Sequence, residues 1–126
     1  MAFMLGQLAY KVLLNAAATT TATGTAVDLA GWVEPGNSQC EAFLAGTART
    51  YTGSPNVVVT IEEDSTSAFS SPTTVATFTT IATTAAANEQ KGVTFTKRYA
   101  RAVATFDAVT STGSYALVLV GSNRTV

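Results

Sequence analysis

A chain of 126 residues with a formal net charge of −1 and 12% charged residues has the length of one domain, and no basic stripe that would neutralise nucleic acid. It contains no histidine and one cysteine, Cys40, which excludes an intrachain disulfide, the usual base of a Ser or Cys triad, and a zinc or iron–sulfur site within one chain. Hydrophobic residues make up 47% of the chain, yet no run approaches the ~20 apolar residues of a membrane span.

The chain opens with MAFMLGQLAYKVLLNAAATT. Gln7, Tyr10 and Lys11 interrupt its apolar residues and no basic region precedes them, which argues against a signal peptide. Phe3, Met4, Leu5, Leu8 and Tyr10 are apolar, although they precede the regular part of the chain. Chain ends fray unless they dock, so two readings follow: a first strand packed on its own subunit, or an arm laid across a neighbour. Residues 1–20 are therefore set apart as an arm or first strand, and 21–126 form the body.

Thr, Ala, Ser, Val and Gly dominate that body, and no 3.6-residue period of strong helix formers is present. Branched Thr and Val sit well on a pleated surface, and short alternating runs are punctuated by Gly, Pro, Asn and Ser. Strands are predicted at 8–14, 25–30, 38–46, 56–63, 74–81 and 114–120, with 92–96 and 98–107 as one long strand carrying a bulge. Within 38–46, Cys40, Ala42 and Leu44 share one face and Phe43 lies on the other. Within 56–63, Val57, Val59 and Ile61 oppose Val58, Thr60 and Glu62. The last strand is apolar on both faces, which requires a central place in its sheet or a covering partner. Segments 15–24 and 79–92 read as loops, the second with room for a helical turn in AAANEQ. The fold class is all-β: an antiparallel, jelly-roll-like β-sandwich of seven or eight strands with an N-terminal arm or extra strand.

The most conspicuous polar cluster is Glu62-Glu63-Asp64. Consecutive side chains of an extended chain point to opposite faces, so these acids converge poorly on one ion or one bond. The reading is a solvated strand end whose charge deters edge pairing. Ser and Thr abound, but a nucleophile needs a base and nothing marks a Ser–Lys pair. ATGTAVDLAG has no phosphate-loop Lys. Trp32 lies near a turn, either as a lid on the core or as an exposed anchor for a partner. Arg101 alternates with Tyr99 along one strand face, which suggests a strand near an edge, a buried ion pair or a subunit contact. No catalytic residue, metal ligand or cofactor site is assigned.

The order of motifs carries a resemblance. TGTAVDLAG is followed by VVVTIEEDSTSAFSSPTTVATFTTI and then by KRYARAVATFDAVTSTGSYALVLVG. Glu62 to Ser65, Phe69 to Ala76, Arg98 to Arg101 and Gly113 to Val118 resemble the acidic turn, the returning strand, the R-Y-x-R strand and the closing strand of tailed-phage capsid decoration (cement) proteins. The resemblance spans about three-quarters of the chain and departs at 82–92, where a shorter turn is expected. It implies a β-sandwich, often trimeric, bound outside an icosahedral shell across joints between major capsid proteins, and it carries no catalytic residues.

The expectation is a non-enzymatic virion protein on the outer capsid surface. Its partner is the major capsid protein, it forms a homo-oligomer with a trimer favoured, and neither nucleic acid nor membrane is involved. Contacts are assigned to Phe3, Met4, Leu5, Leu8, Tyr10, Trp32 and Arg101. The alternatives are a head–tail connector or tail protein, and a β-sandwich that recognises glycan or a host surface.

Overall fold

The computed structural model describes residues 8–18, 22–30, 38–46, 50–51, 57–81, 87–106 and 111–122. Their elements are β1 (Leu8–Ala18), β2 (Ala22–Thr23), β3 (Val27–Asp28), β4 (Ser38–Gly46), β5 (Thr50–Tyr51), β6 (Val57–Asp64), β7 (Thr73–Thr77), β8 (Ala87–Phe95), β9 (Tyr99–Phe106) and β10 (Ser111–Ser122). No helix among them is long and apolar enough to cross a membrane.

The strands form two antiparallel sheets. The first runs β1-β10-β4-β8, with β5 also pairing β10; the second runs β2-β9-β6-β7, with β3 also pairing β9. β2 and β3 are one edge strand interrupted around Gly24, whose N–H donates to the Ala102 carbonyl at 2.8 Å. With these two counted together and the short β5 set aside, the eight strands lie 1-8-3-6 in one sheet and 2-7-4-5 in the other, which is the order of a jelly roll. The sandwich expected from the sequence is thus the fold observed.

Alternation builds the core. Val57, Val59 and Ile61 of β6 point inward and are fully buried, as are Ala100, Ala102 and Ala104 of β9. The three alanines are small, so the opposing sheet can approach and fill the space with Cys40, Ala42 and Leu44 of β4, Val93 and Phe95 of β8, and Leu117 of β10. Leu29, Phe78 and Ile81 close the ends of this cluster. Each large apolar side chain so buried contributes about 1.5–3 kcal/mol. Burial pushes the Cys40 thiol up from its ordinary value, and the neighbouring Glu41 charge adds to the effect. β10 has β1 on one side and β4 on the other, the central place its two-sided hydrophobicity requires.

Three expectations are corrected. The stretch 79–92 is not all loop, and AAANEQ does not end in a helical turn: β8 begins at Ala87 and pairs with β4 along its whole length. Asn88, Glu89, Gln90 and Lys91 carry no apolar alternation because β8 is an edge strand, with β4 its one paired neighbour among the described residues. Residues 92–107 are not one bulged strand either. β8 ends at Phe95 in the first sheet, and β9 starts at Tyr99 in the second. Residues 15–18, read as loop, extend β1 to Ala18 opposite β10. Ala and Asn there gain their strand conformation from the ladder, not from propensity.

Candidate interaction surfaces

The acidic run is not a solvated strand end. Glu62 is partly buried, and Glu63 and Asp64 are only 3% and 2% exposed. The three carboxylates diverge, as alternation requires, and each fixes a different segment.

Glu63 continues the inward register of Val57, Val59 and Ile61 and reaches the end of the core. There it accepts from the Thr96 N–H at 2.8 Å, the Thr96 hydroxyl at 2.6 Å and the Lys97 N–H at 3.1 Å. Thr96 and Lys97 lie in the short passage by which the chain leaves β8 for β9 and changes sheets. Passing over the edge frees these amides from any ladder, and the carboxylate replaces the missing acceptors. A second Glu–Thr pair stands where the chain crosses the other way. Glu89 of β8 accepts from the Thr79 N–H at 2.8 Å and the Thr79 hydroxyl at 3.3 Å, just after β7.

Asp64 organises the loop between β6 and β7. One oxygen accepts from the Thr66 N–H at 3.1 Å and the Ser65 hydroxyl at 3.4 Å, and the other accepts from the Ser71 N–H at 2.8 Å. The backbone amides of Ser71 and then Thr66 hold its carboxyl below the usual carboxylate range; burial opposes them, and Ser65 adds a smaller favourable contribution.

Glu62 faces outward and pairs with Arg101, Nε and Nη2 each lying 2.9 Å from Oε2. The guanidinium carbon sits 4.3 Å from the centre of the Phe69 ring. Phe69 has φ of +49°, a left-handed conformation that an aromatic residue adopts at a cost of roughly 1–2 kcal/mol. Burying the ring returns about 1.5–3 kcal/mol, and the cation above it adds about 0.5–1 kcal/mol. The balance favours the strained loop. Arg101 is thus an ion pair on the outer face of the second sheet. The apolar side of β9 belongs to its alanines.

The first sheet presents a different outer face. Phe43 is 41% exposed and is the large hydrophobic residue that stands out among the described side chains. The ladder sets Val118 of β10 and Gln90 of β8 directly beside it, and Ala45 lies next along β4 opposite Ala116. Val118, Val120 and Ala116 are half-buried, while Ala45 and Glu41 are exposed. Gln90 donates to Glu41 at 3.1 Å at the rim. This is an apolar strip with a polar border, the composition of a small contact surface.

Of the other sequence-predicted contacts, Phe3, Met4, Leu5 and Trp32 lie outside the described residues. Leu8 and Tyr10 lie on β1, their backbones opposite Ser122 and Val120 of β10 in the same chain. Phe43, Glu63, Asp64 and Phe69 were not singled out by the sequence as contact or anchor positions. Parity marks Glu63 as inward, and Asp64-Ser65-Thr66 is a side-chain turn signal. No group of three or more His, Cys, Asp or Glu that could hold a metal ion occurs among the described residues.

No protein-family model matches the chain, and no curated protein does. Among solved structures, the crystal structure of PBSX exported protein XepA matches with a TM-score of 0.62 at 22% identity, over 100% of this chain and 40% of that one. At that identity the likeness shows the fold alone. The chain spans about two-fifths of the length of that protein.

Proposed function

We propose that this chain is a structural protein of a phage particle, a decoration protein that binds the outer capsid surface and stabilises contacts between major capsid proteins. The observation that carries the reading is the division of labour between the two ends of its chemistry. The acids and Arg101 are engaged in holding corners and a loop, while Phe43 and its apolar neighbours face outward on a stiff sheet. Such a body suits adhesion. Two further supports are the run of motifs that resembles those of cement proteins and the likeness in fold to the PBSX exported protein XepA.

Weak contacts suffice for this role, because symmetry-related copies on one shell act together. Binding the assembled shell and not its loose subunits stabilises the shell by linkage. A three-fold association of copies belongs to the same reading and follows from the resemblance.

Electron microscopy of the native particle tests it. Copies arrayed over the capsid are the expected result. A ring at one vertex or on the tail would replace it with a connector or tail role. Since XepA is named an exported protein, a second reading is a phage-related protein acting away from the particle, and its mark would be no density on any virion.

A further inference from the structure

β8 is the open margin of the first sheet. β4 pairs with one side of it from Ala87 to Phe95, and among the described residues no strand pairs with the other. Such an edge offers a row of free backbone donors and acceptors. Its sequence, ANEQKGVTF, places an acid and a base two residues apart, so Glu89 and Lys91 lie on the same face. Their charged groups are 3.6 Å apart and both are partly exposed.

We infer that this margin is a self-association site: β8 of a second copy pairs with it antiparallel, in the register centred on Gln90. A two-fold axis normal to the sheet keeps the inner faces of both sandwiches on one side. Each residue then meets one of its own parity, and the register centres on a residue. Centred on Glu89, the pairing sets Glu89 against itself. Centred on Lys91, it sets Lys91 against itself. Centred on Gln90, it sets each Glu89 opposite Lys91 of the second copy, twice over. With the pair already present within each strand, four charges then alternate in sign around a square. Directly opposed unlike charges favour a strand pair and like charges oppose it, so the same two residues select one register and reject those beside it. In that register Ala87 to Val93 of one copy lie opposite Val93 to Ala87 of the other.

The outer face gains from this pairing. Val118, Phe43 and Gln90 form one row across β10, β4 and β8. The two-fold places Gln90 beside Gln90 and continues the row into the second copy. Two Phe43 rings then stand three strand spacings apart, about 14 Å, on one continuous sheet. A two-headed apolar strip follows, which would grip a repeating surface through both heads. The inference concerns the free protein and does not depend on the virion role.

The test uses three variants of the full chain, Lys91→Glu, Glu89→Lys and the double exchange Glu89→Lys/Lys91→Glu, with sedimentation velocity as the readout and circular dichroism as the fold control. Wild type is expected to self-associate, and each single variant to do so at least about tenfold more weakly, because both cross-pairs become repulsive. An equimolar mixture of the two single variants is expected to associate again as a heterodimer. Glu89→Lys also removes the acceptor of Thr79, so circular dichroism decides whether it keeps its fold, and Lys91→Glu tests the pairing with that corner intact. The double exchange, folded by the same control, restores the complementary square and is expected to associate on its own. Monomeric wild type, single variants that associate like wild type, or a mixture that stays apart would each overturn the proposal.

Discussion

Glu63 and Thr96 are bound twice, carboxylate to amide at 2.8 Å and carboxylate to hydroxyl at 2.6 Å, across the point where the chain passes from one sheet to the other. The pair is buried at the Glu63 end and exposed at Thr96, so water replaces the lost bonds only in part when Glu63 is removed. Glu63→Ala is expected to destabilise the protein by about 2–3 kcal/mol, since it strands the Thr96 and Lys97 amides. Glu63→Gln keeps one acceptor oxygen and is expected to lose less. Urea unfolding of both variants measures the difference; equal stability of all three proteins would mean that the corner is held by packing alone.

Asp64 ties stability to acid. Its folded-state pKa is depressed by the amides of Ser71 and Thr66, so its contribution is full above the unfolded-state value of about 3.9. As pH falls through the lower, folded-state value, the carboxyl becomes protonated in both states and the contribution vanishes. The melting temperature of wild type is expected to exceed that of Asp64→Asn at neutral pH, and the gap to narrow below about pH 4. A gap that stays constant down to pH 2 would show that the charge of Asp64 does not anchor the loop.

Arg101 bridges an acid and a ring, and the two contacts are separable. A double-mutant cycle on Glu62 and Arg101 is expected to give a coupling of about 0.5–1 kcal/mol, the range of a partly exposed ion pair. Arg101→Lys keeps the charge but loses the flat guanidinium stacked on Phe69, so it is expected to behave more like alanine than like arginine. Thermal denaturation of the four cycle members and the lysine variant decides this. Full recovery by lysine would reduce the site to a point charge.

Under the decoration reading, Phe43 is expected to contribute to adhesion and hardly to folding. With 41% of its surface in solvent, Phe43→Glu is expected to shift unfolding free energy by less than about 1 kcal/mol, in line with surface substitutions generally. Under the decoration reading it is expected to weaken co-sedimentation with undecorated capsids by tenfold or more, roughly the loss of one interface anchor. Unchanged co-sedimentation would move the contact to another face.

Where side chains alternate and are buried on one side, the sequence discloses the fold. Val57-Val59-Ile61, the Cys40-Ala42-Leu44 face and the two-sided β10 were legible because burial writes a period of two. The strand at 92–95 was legible, but the polar first half of β8, residues 87–91, was not, because among the described residues β8 pairs with β4 alone and its polar residues serve the margin. The corner at Thr96 was hidden for another reason. Thr94-Phe95-Thr96 keeps its strand-like composition up to the turn, and the turn is made by a carboxylate 33 residues earlier in the chain. The same distance effect concealed the roles of the acids. Adjacency correctly showed that they could not converge. Where each one went depended on Thr96, Ser71 and Arg101, which only the tertiary fold brings near.

The pairing of β1 with β10 bears on how the molecule is made. Leu8 lies opposite Ser122, so the first sheet closes only when segments about a hundred residues apart meet. A ribosome must release β10 before β1 finds its neighbour, and until then the emerging chain holds an apolar surface without its cover. Completion of the first sheet is therefore a late event, on the slow, millisecond-to-second side of the range for domains of this size.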